Sequence, residues 1–569
     1  MTRRVAVSGS VLAGFTALAV LCTLSVWVSP LARLPGEPGV GAFDPYNAAW
    51  WLNWTPFAVT HGLNPFASNY LNYPAGMNMM WNSWMPALGV LLWPVTAMGG
   101  AVLTDNLITT ASFALSAFFA FVAIRRYVPT RFAALVGGLI YGFSPYMFAQ
   151  GAVHAQQIAY AMTIPLAFLL VDEALIRQRL RPWLLGLLIA ALGIVQFFIL
   201  EEYFLTELLA AAVLTLILAL SRRDQIRVRL PYAVRAVGTA AIVVGAALAY
   251  PVVAVQLHGP ARVVGNVRDP QVWVTDLLNL VVPTSTQLVA PHWATAVTQH
   301  FSGNLAEWDG YLGIGLLAVA TGTIARCWRQ PVVRAAGMFA GLMTLLSLGP
   351  YLHVGGTQLP IPLPWWIPAH MRYIDNIQPN RLMVFAFLGL AFVVAFALSV
   401  AWRQRHGLMR AGVMAGLVVV PLIPQLPLPW QQVSVPAYFT SAAVREIPKN
   451  AVVYTVPCPC GYLPDALAWQ MASGMRFKLI GAANAPGASA VGQDYLAEIS
   501  LTLASYGRSF PPLSEAQRAA IVAEMRASHV SAVVLGPTPS PTAVADLTTL
   551  LGSAPEVQHG VDVWVLTPT

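Results

Sequence analysis

The sequence predicts a polytopic α-helical membrane protein with about eleven transmembrane helices, interfacial helices in its first outer loop, and a small α/β domain outside the membrane at its C-terminus. Three observations predict it. Of 569 residues, 57% are hydrophobic and only 9% charged, and the mean hydropathy is +0.64, far from the balance of a soluble domain. Apolar runs of bilayer length recur up to about residue 427. When each run is counted as a crossing, the arginines gather on one side: Arg3 and Arg4; Arg125, Arg126 and Arg131; Arg177, Arg179 and Arg181; Arg222, Arg223, Arg227 and Arg229; Arg326, Arg329 and Arg334; Arg403, Arg405 and Arg410. An excess of arginine in short loops marks the cytoplasm. The other side receives Asp44, Glu201, Glu202, Glu307 and Asp309, so the chemistry of this protein is expected outside the plasma membrane.

Residues 5–28 follow Thr-Arg-Arg, exceed a signal-peptide core and lack a small-x-small cleavage site, which reads as an uncleaved signal anchor with a cytoplasmic N-terminus. Residues 29–100 are too polar and aromatic to span. Within them, 45–61 and 83–98 read as interfacial helices. In the first, Trp50, Trp54 and Phe57 repeat at i, i+4 and i+7, the spacing of a helix half-sunk at headgroup level. The second is shorter than the ~20 residues a crossing needs, and counting it would put Arg125 and Arg126 outside. Further spans are expected at about 103–124, 132–150, 156–174, 183–200, 203–220, 232–255, 310–326, 332–349, 381–402 and 411–427. An odd total leaves the tail outside. From Pro429 the chain gains Pro and Gly punctuation, β-rich runs such as Val452–Val456 and Ala532–Leu535, and an amphipathic stretch Ser514–Ser528. The expected domains are therefore 1–427 in the membrane and 428–569 outside, with no internal repeat.

The formal charge of +8 divides into +10 over residues 1–427 and −2 over 428–569. The excess is topological, which excludes a nucleic-acid partner. Four cysteines, Cys22, Cys327, Cys458 and Cys460, offer no metal-ligand spacing; Cys-Pro-Cys is open to oxidation as a pair outside, although its one-residue gap is a poor disulfide geometry.

The acids on the outer face carry the candidate chemistry. Asp44, in Phe43-Asp44-Pro45-Tyr46, suits a helix N-cap with Pro at the first helical position, and equally suits a base that takes a proton from an acceptor hydroxyl. Glu201 and Glu202 lie where one apolar helix ends and the next begins, a costly place for two carboxylates unless they face a wet cavity, a cation or a partner. His154 caps another outer turn. Glu307 and Asp309 enter a span from a long loop. Arg381, with His370 and Arg372 upstream, is an outer arginine against the trend; its fork suits a phosphate, with a salt bridge to Asp375 or a snorkelling anchor as the ordinary alternative.

In order and topology these segments resemble the GT-C superfamily of membrane glycosyltransferases. The resemblance rests on Phe43-Asp44-Pro45, the interfacial helices, Trp50 to Phe66 with His61-Gly62-Leu63-Asn64-Pro65-Phe66, Gly142-Phe143-Ser144-Pro145-Tyr146 with His154, the Glu201-Glu202 pair, and Asn380-Arg381, and it covers residues 1–427. It implies transfer of a sugar from a polyprenyl-phosphate donor to an envelope glycan, glycolipid or glycoprotein, with Asp44 as base and inversion at the anomeric carbon. Glu201, Glu202, His154 and Glu307 would share the catalytic cavity with Asp44. Arg381, Arg372, His370, Trp50, Trp54, His61, Asn64 and Asp309 would contact substrates. Many members pair acids in the first loop, whereas here Pro45 follows Asp44, which favours a metal-independent reaction over one using a divalent cation; no cofactor is required. Two other classes remain: a transporter or flippase of a lipid-linked glycan, for which deep intramembrane charges and inverted repeats would be expected, and a non-catalytic envelope-assembly protein.

Overall fold

The computed structural model describes residues 2–36, 43–151, 158–221, 223–259, 269–372, 374–459, 463–481 and 513–566. The chain divides into two compact units, one of Met1–Val28, Asn106–Ala247 and Asn266–Pro429, the other of Ser29–Asp105, Leu248–Gly265 and Trp430–Thr569. The tail is thus not a unit by itself: it shares one with the first outer loop.

Among the described residues five helices are long and apolar enough to cross a membrane: Trp93–Arg125, Arg131–Gly151, Glu201–Ser221, Arg223–Leu257 and Pro379–Trp402. Five shorter apolar helices are Ser8–Cys22, Pro182–Phe197, Gly313–Cys327, Pro331–Ser347 and Gly407–Leu422. The expected span 156–174 differs. There the described chain forms a 3-10 turn Tyr160–Met162, a helix Ile164–Asp172 opening on Pro165, and a π-turn Glu173–Arg177. Proline lacks the N–H that would continue the preceding turn, so the helix restarts there. The juxtamembrane stretch expected before residue 100 merges into Trp93–Arg125, with Gly100 at φ 81° marking the kink.

At the centre of the first unit lies Met383–Trp402, apolar on every face, as a helix surrounded by protein must be. In the span that contains it 89% of the most apolar stretch is buried, against 22% for Glu201–Ser221; the first is core and the second presents Leu205, Leu208, Leu216 and Leu220 outward. Close packing needs small residues. A Cβ at Gly389 would lie 2.8 Å from the Ala336 carbonyl oxygen and 2.9 Å from the Ala340 Cβ, so glycine lets this helix approach Pro331–Ser347 backbone to backbone.

In the second unit the tail forms a five-stranded mixed sheet. Val452–Val456 runs parallel to both Lys478–Leu479 and Val530–Leu535; Val561–Val565 pairs antiparallel with Val530–Leu535, and Glu556–Gln558 with Val561–Val565. Helix Glu515–Ala527 begins with a capping box in which Ser514 and Gln517 satisfy each other's backbone N–H groups, and its Ile521 and Met525 join the core on Val533, Leu535 and Trp564. Cys458 is disulfide-bonded, while Cys22 and Cys327 are free thiols; Cys460 lies outside the described residues.

The first-loop helix Phe43–Thr60 packs on the tail helix Asp465–Ala472. Trp50 Nε1 donates to Gln470 Oε1 at 2.6 Å, and Gln470 Nε2 donates to the carbonyls of Tyr70 at 2.9 Å and Phe477 at 2.7 Å. Trp50 and Trp54 stack with centroids 5.5 Å apart and planes 7° from parallel, at 0% and 1% exposure. The aromatic stripe is therefore the seam of an intramolecular contact, not a membrane-facing surface: an i, i+4, i+7 pattern fixes which side of a helix is apolar but not what covers it. Replacing Gln470 by Ala leaves the Trp50 N–H and two carbonyls without their partner, and is expected to destabilise this unit by on the order of 3 kcal/mol. The check is the melting midpoint in detergent; an unchanged midpoint would mean that the amide bridge does not hold loop and tail together.

Candidate functional site

Four segments of the first unit converge on one guanidinium. Gln378 is extended, and Pro379 at the first helical position starts the 3-10 turn Pro379–Leu382 that carries Asn380 and Arg381 into the central helix. Glu202 sits in the first turn of Glu201–Ser221. Glu307 ends a 3-10 turn capped by the Asn304 side chain, with Asp309 just beyond. Gln150 closes the helix Pro145–Gly151.

Arg381, 1% exposed, donates through Nη1 to Glu202 Oε2 at 2.7 Å and through Nη2 to Glu307 Oε1 at 3.1 Å. The second Glu202 oxygen accepts the Gln378 N–H at 3.0 Å. Glu307 Oε2 accepts from Asn380 Nδ2 at 2.5 Å and from Gln150 Nε2 at 2.8 Å, and the same Gln150 nitrogen reaches Asp309 Oδ2 at 3.0 Å. Beside them the Tyr146 hydroxyl bonds those of Tyr160 at 2.6 Å and Tyr203 at 3.1 Å, and Arg381 lies 5.3 Å from the Tyr203 ring centre.

Three carboxylates share one arginine. Burial pushes Asp309 well above the usual carboxylate range, and the neighbouring Glu307 pushes it further, against the Gln150 hydrogen bond and the pull of Arg381. Asp309 Oδ1, Asn380 Oδ1, Gln378 Oε1 and Arg381 Nε are buried with no hydrogen-bond partner among the described residues; in native interiors such atoms are ordinarily met by water or ligand. No group of three or more His, Cys, Asp or Glu among the described residues is arranged to hold a metal ion.

The structure thus brings together Glu202, Glu307, Asp309 and Arg381. Glu201, half-buried, adjoins Glu202. The ordinary alternative for Arg381, a salt bridge, is realised with Glu202 and Glu307 and not with Asp375; both terminal nitrogens of the fork expected to meet a phosphate are committed to carboxylates. His370 and Arg372 are exposed, the His370 Nδ1 lying 2.7 Å from the Trp366 carbonyl and its ring tilted against that of Trp366, with centroids 4.3 Å apart. The second unit holds the remaining candidates. Asp44 lies half-buried in the first turn of Phe43–Thr60. His61 is exposed with Nδ1 2.9 Å from the Phe57 carbonyl, and Asn64 accepts the Phe66 N–H at 3.0 Å. Trp50 and Trp54 are corrected from substrate contacts to packing residues, since both are fully buried and their N–H groups are spent on Gln470 and the Pro65 carbonyl. His154 lies outside the described residues. Gln150, Asn380 and the three tyrosines escaped the sequence reading as site residues, because uncharged polar groups in apolar segments carry no topological signal. Asn380 and Tyr146 left a trace in the motifs that carry the resemblance, and Gln150 only in the unusual cost of an amide beside a span end.

A raised carboxyl favours the folded state while protonated. The contribution of Asp309 is fully present below its unfolded value of about 4 and is lost as pH rises through its higher folded value. Asp309→Asn keeps an acceptor for Gln150 and cannot ionise, so its melting midpoint should gain on that of wild type steadily as pH rises. A gap that stays constant across pH would assign Asp309 no buried ionisation.

The chain matches the family model described as "Domain of unknown function (DUF6311)" over residues 39–423. No curated protein sequence matches it. Among solved structures it is similar to the arabinofuranosyltransferase AftD from Mycobacteria, at TM-score 0.52 and 14% identity, over 98% of this chain and 40% of that one. It is similar also to the archaeal oligosaccharyltransferase AglB from Archaeoglobus fulgidus, solved with an inhibitory peptide and a dolichol-phosphate, at TM-score 0.52 and 13% identity, over 96% of this chain and 71% of that one. The chain therefore spans less than half the length of AftD. At these identities the likeness establishes the architecture: the chain belongs to the DUF6311 family and has the fold of the GT-C membrane glycosyltransferases.

Proposed function

We propose that the protein transfers a sugar from a polyprenyl-phosphate donor to an envelope glycan, glycolipid or glycoprotein acceptor on the outer face of the plasma membrane. The observation that carries this reading is the Glu202–Arg381–Glu307 clamp with Asp309, a built polar site at the span ends that the arginine pattern assigns to the outside, in a chain with the GT-C fold. The solved AglB holds a dolichol-phosphate, a lipid of the class proposed here. A disulfide at Cys458 suits a tail in an oxidising compartment.

For the donor, the segment 361–372 offers the right chemistry. Ile361, Trp366, Ile367 and Met371 are 41–65% exposed and suit a lipid chain, while His370 and Arg372 on the same segment suit its phosphate. Arg381 acts as a positioning residue, fixing Glu202 and Glu307 through both ends of its fork. Asp44 takes the proton of the acceptor hydroxyl as that oxygen bonds to the anomeric carbon; the bond from that carbon to the phosphate oxygen breaks, and the lipid phosphate leaves with the electron pair. A phosphate leaving group needs no general acid, and attack from the opposite face inverts the centre. No step calls for a metal ion or cofactor.

Asp44→Asn keeps the size of the side chain at its place in the first helical turn but removes the base, so transfer from a purified polyprenyl-phosphate sugar should fall by roughly two to four orders of magnitude in a protein that still folds and binds donor. Wild-type transfer by the Asn variant would leave Asp44 a first-turn acid of its helix and remove it from the reaction.

A further inference from the structure

The first unit contains a cavity that the proposed transfer does not use. Its lining includes Phe168, Phe339 and Phe392 together with Asp172, Ser221 and Arg334, and its volume is about 90 Å³, below the ~300–1,000 Å³ of sites that enclose a whole small molecule, so it takes one part of an occupant whose remainder lies outside. It lies far from the carboxylate clamp. Glu202 begins and Ser221 ends the same helix, which at 1.5 Å per residue separates the two ends by about 30 Å.

The lining carries one cation, Arg334, and one acid, Asp172. The carboxylate of Asp172, with a fully buried side chain, accepts from Arg126 Nη1 at 2.8 Å and Arg177 Nε at 2.6 Å, and also from the Tyr127 hydroxyl. Asp172 is thus neutralised by two guanidiniums outside the lining, and Arg334 is the cation of the lining itself, its Nη2 donating only weakly, at 3.4 Å, to the Ser221 carbonyl. These arginines belong to the clusters that mark the cytoplasmic loops, so the mouth sits at headgroup level over an aromatic slot between helices. An occupant must be an amphiphile with an anionic head, and basic pockets between transmembrane helices on this side are suited to anionic lipid headgroups. A soluble phosphate would leave the aromatic floor uncovered. The sugar donor belongs to the opposite end.

We propose that this cavity binds an anionic phospholipid of the cytoplasmic leaflet, its phosphate against Arg334 and an acyl chain over Phe168, Phe339 and Phe392. Its orientation rests on the same arginine topology as the proposed function, but its test involves no sugar transfer, so an inactive transferase would leave it standing. The full chain, purified in detergent, is probed with phosphatidylglycerol and with phosphatidylcholine of the same acyl chains, reading lipid retained by native mass spectrometry and the melting midpoint. Phosphatidylglycerol should be retained and raise the midpoint, phosphatidylcholine much less, and glycerol 3-phosphate not at all. Arg334→Gln should lower phosphatidylglycerol retention roughly fivefold, and Ala335→Trp, which fills the slot from its half-buried wall, should lower it at least as far. Equal retention of the two phospholipids, a matching shift from glycerol 3-phosphate, or wild-type retention in either folded variant would overturn the proposal. The two substitutions lie at mouth and wall, so if one fails to fold the other decides.

Discussion

A single buried guanidinium organises the first unit. Removing a carboxylate or a guanidinium from water costs several kcal/mol each, and mutual attraction offsets this only when geometry is good and the remaining hydrogen-bonding positions are filled. Arg381, Glu202 and Glu307 meet much of that condition: Gln378 N–H completes Glu202, while Asn380 and Gln150 complete Glu307. The result ties the start of the central helix, the start of Glu201–Ser221, the loop at 305–309 and the end of Pro145–Gly151 to one point. Such a cluster contributes less to net stability than an apolar core of the same size would; what it supplies is one fixed arrangement of charged groups, which a reaction at a membrane surface requires.

The second unit depends on a neutral counterpart. Gln470 uses its carbonyl on the Trp50 indole and its amide on two backbone carbonyls, so a side chain of the tail fixes the helix that begins with Asp44. Asp44 is thereby carried on a packed element, and the tail has a structural part in presenting it whatever else it recognises.

Much of this was legible in the residues. Arginine alternation and acids at span ends placed Glu202, Glu307, Asp309 and Arg381 on the outer side, within a larger group of candidates that also held Asp44, Glu201 and His154, because charges near a membrane are too costly to be incidental. Which of them pair was not legible. Arg381 reads as a phosphate ligand, with Asp375, near in sequence, as the ordinary alternative, yet its partners lie 179 and 74 residues away, and nothing in local periodicity encodes such a distance. Trp50 and Trp54 failed for a related reason: lipid and protein cover an aromatic stripe equally well, and the covering helix is over 400 residues downstream. The range 156–174 had the hydropathy of a span, but Pro165 divides it. Gln150 and Asn380 carry no charge and so left no mark on the topology that revealed their partners.

The central claim is that Arg381 exists to neutralise two carboxylates that the fold buries, and a triple-variant comparison tests it most directly. Arg381→Met alone strands Glu202 and Glu307, and breaking a buried pair in this way costs about 3–5 kcal/mol. Combining it with Glu202→Gln and Glu307→Gln removes the stranded charges while keeping their shape. The account predicts that the triple variant melts well above Arg381→Met and near wild type. A triple variant that melts at or below the single one would contradict it, and would assign the stabilising role of Arg381 to packing.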